Sequence, residues 1–198
     1  MDVYQTALDI FRARLDTDNE SLITDLAARA QLVEAPKGTV LFREGTVLRD
    51  CYCLVEGIIR LAFELDGEEI TESLRADRGV IIYPCVVFTG REDRANATVS
   101  CLADTRLLHI RAEELHELRL ANPDFDGLQL QLVLQFVEQS FRVHRQIDHM
   151  NPTQRYNWFV ENNPYLAENV PQKYIASFLG MTPVSLSRIR SKIKQKPE

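Results

Sequence analysis

Residues 173–190 read KYIASFLGMTPVSLSRIR, and this stretch predicts two short helices joined by a tight turn. The first helix has one apolar face, which carries Ile175, Phe178 and Leu179. Gly180 supplies the left-handed backbone with which helices commonly end. Thr182 and Pro183 are residue types preferred at the start of the helix that follows. Paired helices of this kind place the second helix in the major groove of DNA.

The second helix of this stretch separates its residues into two faces. At 100° per residue, Leu186, Ile189 and Ile193 fall together and are expected to pack on the first helix. The opposite side and its flanks carry Val184, Ser185, Ser187, Arg188, Ser191 and Lys192. Small side chains allow close approach to base edges, and an arginine can bind guanine through two hydrogen bonds. The alternative is a surface helical pair that has no role in binding DNA.

The charge distribution favours DNA as the partner. The whole chain has a net charge of −6, whereas residues 171–198 have a local net charge of +5. An acidic protein with one basic end suggests an anionic partner at that end. The residues predicted to contact DNA are Lys173, Thr182, Pro183, Val184, Ser185, Ser187, Arg188, Arg190 and Lys192. Arg188 is predicted to read a base, and Val184 to meet a thymine methyl group.

The length of 198 residues allows one sizeable domain and one small domain. No apolar run approaches the roughly 20 residues that a membrane helix needs. The N-terminal sequence MDVY lacks the basic and then apolar pattern of a signal peptide. A cytoplasmic location is therefore expected.

The four cysteines are Cys51, Cys53, Cys85 and Cys101. Their spacing matches neither the usual zinc sites nor iron–sulfur runs. Buried, reduced thiols are expected, with a redox sensor as the alternative. The sequence predicts no metal, cofactor or catalytic residue.

The region 31–110 has the texture of a β-sandwich. Short apolar runs are separated by glycines about ten residues apart, which is typical of a sandwich or jelly roll. Residues 64–69 predict a hairpin with Asp66–Gly67 at its turn. Amphipathic helix is predicted before this region, over 4–30. The expected fold is α+β, with an N-terminal domain over 1–110 that is a double-stranded β-helix (jelly roll).

Helical periodicity returns after residue 110. A short helix is expected to end near Asn122–Pro123, and a long helix is expected from Asp124 to His149. The long helix has two apolar stripes, of which one can pack on the sandwich and the other on a second copy of the chain. The predicted dimerisation residues are Leu132, Phe136, Val143 and Ile147. The alternative is a helix buried entirely within one subunit.

The connecting and dimerisation helices thus occupy 111–150, and a C-terminal all-α domain occupies 151–198. Asn151–Pro152 is predicted to join them, because the residue before a proline resists helical backbone.

This order of parts resembles the Crp/Fnr superfamily of transcription regulators. In the sensor half, residues 42–45 (FREG) and 54–60 (LVEGIIR) resemble the glycine-marked strands of a cyclic-nucleotide-binding domain. The C-terminal segments 170–176 (VPQKYIA) and 179–190 (LGMTPVSLSRIR) resemble the branch of the superfamily common in Bacteroidetes. The resemblance implies a homodimer that binds a near-palindromic operator in double-stranded DNA and regulates transcription. It also raises a small-molecule effector and RNA polymerase as partners, with no membrane association.

The chain departs from the family's pattern in three places. Where cyclic-nucleotide binders have Phe-Gly-Glu and a following arginine, this chain offers Tyr83, Pro84 and Arg94, its candidate effector-pocket residues. Pro84 has no carboxylate, so cyclic AMP is not the expected effector. At the positions where well-known members carry Arg, Glu and Arg, this chain has Pro183, Val184 and Arg188, which implies an unfamiliar operator. A full β-hairpin wing is not expected after the second helix.

Two alternatives to an effector-controlled regulator remain open. One is a ligand-independent regulator whose sensor domain is a degenerate scaffold. The other, from a different class, is a cupin-like enzyme that binds a small molecule. Catalytic cupins usually carry a cluster of histidine and carboxylate ligands, and only His109 lies near the end of this jelly roll. A non-enzyme is therefore expected.

Overall fold

The computed structural model describes residues 2–82 and 94–194. Two helices come first, α1 (Val3–Arg14) and α2 (Glu20–Arg29). They divide the amphipathic stretch predicted over 4–30, because Leu15 is extended and Asn19 starts a new helix. The Asn19 side chain accepts a hydrogen bond of 3.0 Å from the Leu22 amide, which satisfies a donor that the helix itself leaves unpaired.

Eight strands follow within the described residues. They are β1 (Gln31–Ala35), β2 (Val40–Phe42), β3 (Asp50–Glu56), β4 (Ile59–Leu65), β5 (Glu68–Arg75), β6 (Ile81–Ile82), β7 (Thr98–Cys101) and β8 (Thr105–Arg111). All their pairings are antiparallel.

The strands form two four-stranded sheets, with orders β1-β8-β3-β6 and β2-β7-β4-β5. This interleaving of early and late strands is that of a double-sheet jelly roll, as predicted. Phe42 and Tyr52 come from opposite sheets and meet edge to face with ring centroids 5.4 Å apart, which marks the inside of the sandwich. Buried side chains of α1 and α2 extend the same core, including Phe11 and Leu22.

The β4–β5 hairpin turns at Asp66–Gly67, as the sequence predicts. Both residues have positive φ, 52° and 80°. A two-residue turn of this hand matches the twist of the strands on either side. β5 lies at the edge of its sheet, so only its β4 side is paired with another strand.

The helices after the sandwich also follow the predicted order. α3 (Ala112–Ala121) is short, and α4 (Phe125–Asp148) is the long helix. The C-terminal helices are α5 (Pro152–Asn162), α6 (Pro164–Asn169), α7 (Gln172–Phe178) and α8 (Pro183–Lys194). Asn151 caps α5 by accepting from the Gln154 amide at 3.0 Å.

The C-terminal helices share a second buried cluster with the sandwich. Phe159, Ile175, Leu179 and Leu186 belong to it, together with Ile58, Leu74 and Leu102 from the strands and their connections. α7 contacts β5 extensively. The C-terminal helices therefore pack directly on the edge of the sandwich.

Candidate nucleic-acid interface

The turn between α7 and α8 is built by local hydrogen bonds. Gly180 has φ 63°, and the Met181 amide donates to the Ala176 carbonyl at 3.0 Å, which closes the end of α7. Thr182 starts α8, because its hydroxyl accepts from the Ser185 amide at 3.1 Å. The Arg155 guanidinium donates to the Leu179 carbonyl at 3.0 Å and so holds the turn against α5.

α8 has a buried face and an exposed face. Leu186 is fully buried and Ile189 is nearly so, as predicted. Ile193 is 41% exposed, which corrects the prediction that it packs with them. Ile193 lies in the last turn of α8 (Pro183–Lys194).

The exposed face of α8 carries most of the side chains predicted to meet DNA. Val184 is 60% exposed. The others on this surface are Pro183, Ser187, Arg188, Ser191 and Lys192, with Thr182 just before the helix. Ser185 is half-buried, and its hydroxyl lies 2.9 Å from that of Thr182, so it completes the start of the helix.

Lys173 and Arg190, two cations predicted to contact DNA, lie at different depths. Lys173 is exposed at the start of α7, and its ammonium is 4.7 Å from the centre of the Tyr174 ring. Arg190 is half-buried and lines a groove with Tyr156 of α5 and Gln172 of α7.

The predicted effector residues do not come together in the described structure. Tyr83 and Pro84 lie outside the described residues. Arg94 is exposed and donates to the Gly45 carbonyl at 2.7 Å. This hydrogen bond connects the loop after β2 with the chain that leads into β7. The role of Arg94 in binding an effector stays a prediction.

A cavity of about 330 Å³ lies between the β4–β5 hairpin, β6 and α4. Its polar lining includes Arg14, Glu72, Ser73, Arg75 and Asn96. Arg75 donates to Gln139 of α4 at 2.8 Å and pairs with Asp77 at 3.5 Å. Burial lowers the pKa of the Arg75 guanidinium, opposed by the nearby Asp77 carboxylate. The sequence did not predict this set, because its members are spread over α1, β5 and a loop.

One of the two apolar stripes of α4 is exposed to solvent. Leu130, Leu134, Val137 and Phe141 follow one another at three- and four-residue steps, and Phe141 is 62% exposed. Positions at these steps lie on one side of a helix. This stripe has no cover within the described chain.

The predicted dimerisation set needs correction on this point. Ile147 is buried, and Leu132 is half-buried and packs against the sandwich core, so both side chains are used within their own subunit. Val143 is half-buried, whereas Phe136 is 45% exposed and also lines the cavity beside β4. The stripe of α4 that carries Leu132, Phe136, Val143 and Ile147 therefore packs mainly within its own subunit.

The described cysteines form no disulfide with one another and are largely buried. Cys53 and Cys101 are buried and Cys51 is half-buried, while Cys85 lies outside the described residues. Burial raises the pKa of the Cys53 thiol to about 12, with the neighbouring Cys51 as a smaller cause.

His109 shares a hydrogen bond of 2.6 Å with Asp50. Among the described residues no three His, Cys, Asp or Glu side chains are grouped so that they could hold a metal ion. Over residues 2–82 and 94–194, no helix is both long enough and apolar enough to span a bilayer.

The sandwich is similar to a known sensor module. Residues 32–122 match the cyclic nucleotide-binding domain family. A search of curated protein sequences gives no significant match.

Solved structures of bacterial proteins share the fold of most of the chain. The c-di-GMP responsive global regulator CLP from Xanthomonas campestris is 17% identical, with a TM-score of 0.70 over 89% of this chain and 92% of that one. FixK2 from Bradyrhizobium japonicum is 14% identical, with a TM-score of 0.69 over 83% and 84%.

The catabolite activator protein of Thermus thermophilus is 17% identical, with a TM-score of 0.53 over 94% and 86%. The resemblance to Crp/Fnr-type regulators is thus confirmed at the level of the fold. By their names, CLP is a global regulator and the Thermus thermophilus protein is a catabolite activator.

Proposed function

We propose that this protein is a homodimeric, sequence-specific DNA-binding transcription regulator of the Crp/Fnr type. The observation that carries the proposal is the exposed face of α8, where Val184, Ser187 and Arg188 are open to solvent above a buried Leu186. A rigid helix with small side chains and one long cation fits the major groove of B-DNA. The basic C-terminal segment supplies phosphate contacts around it.

A second copy of this chain is proposed as the partner of α4. The stripe formed by Leu130, Leu134, Val137 and Phe141 is a contiguous apolar surface on a helix of 24 residues. Such surfaces on soluble proteins are commonly covered by another chain. Pairing α4 with its copy along this stripe brings two α8 helices to one duplex, as a near-palindromic operator requires.

The cavity beside β5 is the proposed place for a small-molecule effector. Its walls include β4, β5 and α4, so an occupant touches the sandwich and the dimerisation helix together. A ligand that prefers one arrangement of these elements shifts the population toward it. Cyclic AMP is not proposed, because the carboxylate that the family uses for the ribose has no counterpart at Pro84.

The test is selection of bound duplexes from a random DNA pool by the purified protein, without ligand and at near-physiological salt. Recovery of a two-fold-symmetric motif, with half-sites about one helical turn apart, is the expected result. Failure to recover any motif, both alone and with cell extract added, would overturn the proposal of sequence-specific binding.

Thermal shift with candidate ligands then separates a sensor from a scaffold. A ligand that binds only the folded state raises the melting temperature. At a ligand concentration one hundred times its Kd, the free energy of unfolding rises by about 2.7 kcal/mol. A selected motif together with no ligand-induced shift would favour the ligand-independent regulator.

A further inference from the structure

The contact between β5 and α7 contains a hydrogen bond across the join. The Thr71 amide donates to the Ser177 hydroxyl at 2.8 Å. Because β5 is an edge strand, an outward-facing amide there has no neighbouring strand to bond. α7 therefore supplies the acceptor that the sheet edge lacks.

Arg60 lies behind this contact and is the most constrained cation in it. Its side chain is only 4% exposed, and its Nε donates to the Thr71 hydroxyl at 2.9 Å. Its Nη1 donates to the Glu69 carboxylate at 2.6 Å. A buried guanidinium requires partners of this kind, because an unpaired buried charge is strongly destabilising.

The remaining face of the Arg60 guanidinium is covered by α7. The guanidinium carbon is 4.1 Å from the centre of the Tyr174 ring, a cation–π contact well within the 6 Å limit. Desolvation strengthens such contacts. Tyr174 and Ser177 thus attach α7 to the sandwich at two neighbouring points on the same helix.

The other end of β5 is attached to α4. Arg75, the last residue of the strand, donates to Gln139 at 2.8 Å. One strand therefore bonds to the helix that carries the candidate dimer surface and to the helix that precedes α8. It also forms a wall of the 330 Å³ cavity through Glu72 and Ser73.

We propose that Arg60, Glu69, Thr71, Tyr174 and Ser177 form a latch that fixes the orientation of α8 relative to α4. The latch leaves the exposed face of α8 free, so the latched chain is the form competent to bind DNA. In the dimer it sets the separation of the two α8 helices. Loosening it lowers affinity for a two-fold operator, while each single helix keeps its own contacts. This effect on affinity rests on the function proposed above.

The test compares two substitutions at one position. Tyr174→Leu keeps apolar bulk but removes the ring face, and Tyr174→Phe keeps the ring and serves as the matched control. Ser177→Ala removes the acceptor alone and guards against a folding defect specific to Tyr174→Leu. Far-UV circular dichroism establishes that each variant is folded.

The first readout is hydrogen exchange of the Thr71 amide in the DNA-free, full-length protein. Exchange is expected to be at least about tenfold faster in Tyr174→Leu and Ser177→Ala than in wild type or Tyr174→Phe. Equal exchange in all four proteins would overturn the latch, whether or not the protein binds DNA.

The second readout is affinity for a palindromic duplex and for a duplex with one half-site. Tyr174→Leu is expected to bind the palindrome about fivefold more weakly and the half-site with unchanged affinity. Equal losses on both duplexes, or no loss on either, would overturn the role of the latch in orientation. If wild type binds no duplex, the proposed function fails and takes the affinity effect with it, while the exchange result still decides whether α7 is held on β5.

Discussion

Arg188 is the residue that we expect to read a base edge. It lies on the solvent face of α8, four residues after Val184 and therefore about one turn along the helix. Arg188→Ala is expected to relax selectivity at one guanine of each half-site and to cost ~1–3 kcal/mol of binding free energy there. Repeating the duplex selection with the variant measures both effects.

Lys192→Ala is the control for Arg188→Ala. A phosphate contact carries no sequence information, so this variant should bind all duplexes more weakly and reduce the salt slope by about 1. Unchanged selectivity in Arg188→Ala would remove Arg188 from the base-reading set.

Cys53 is expected to be chemically inert in the folded protein. Burial raises the pKa of its thiol to about 12, and the thiolate is the reactive form. Iodoacetamide at pH 8 should leave Cys53 unmodified in the native state and modify it in urea, as peptide mass spectrometry can measure. Rapid modification of the native protein would revive the redox-sensor alternative for this residue.

The same shift makes stability depend on pH. The folded state holds the Cys53 proton more tightly than the unfolded chain, whose thiol has the ordinary value of 9.0. The contribution is full below pH 9 and is lost as the pH rises toward 12. From pH 8 to pH 10 the free energy of unfolding should therefore fall more in wild type than in Cys53→Ala, as urea titrations measure. An equal fall in both would contradict the assignment.

At the scale of elements, the exposed apolar stripe of α4 leads to a prediction about dimerisation. Leu134 is 52% exposed in the middle of the apolar stripe. Leu134→Glu would bury an unpaired carboxylate at the interface, which costs several kcal/mol. The dimer Kd should rise at least about a hundredfold. Sedimentation equilibrium measures this rise, with the exposed Gln131→Glu as a control of equal added charge. A Leu134→Glu variant that stays dimeric would place the interface elsewhere.

The sequence predicts an element well where local chemistry decides it. The Asp66–Gly67 hairpin and the α7–α8 turn at Gly180 both follow from residues that tolerate positive φ. Helical periodicity likewise locates α3 and α4. In contrast, periodicity alone cannot say which stripe of α4 faces its own sandwich, because both stripes are apolar. For that reason the sequence assigned Leu132 and Ile147 to the dimer interface, whereas the structure packs Leu132 on the sandwich core and buries Ile147.

Sites assembled from distant segments are the part that the sequence does not predict. Arg60 interrupts an otherwise apolar run, Ile58–Leu61, and that single charge is a signal that could have indicated a buried ion pair. Its partners, however, come from β5 and from α7, more than a hundred residues later. Only the packing of the C-terminal helices on the sheet edge brings them together.

At the scale of the whole molecule, the two attachments of β5 hold α7 and α4 to the same strand of the sandwich. α7 is held by Ser177 and Tyr174, α4 is held by Arg75, and the fully buried Leu186 secures α8 within the second core cluster. A dimer joined along α4 would therefore carry its two α8 helices at one fixed separation and one fixed angle. Flexible tethers would instead tolerate variable spacing between half-sites.

Half-site spacing tests this rigidity. Five base pairs inserted at the centre of the selected operator turn one half-site to the opposite side of the duplex, since B-DNA has about 10 base pairs per turn. Binding should then fall to the affinity of a duplex with one half-site, as fluorescence anisotropy can measure. Ten inserted base pairs return both half-sites to the same side of the duplex but lengthen the distance between them by about 34 Å. The affinity of a rigid dimer should therefore not recover. Recovery at ten base pairs would mean that the C-terminal helices detach from the sandwich when DNA binds.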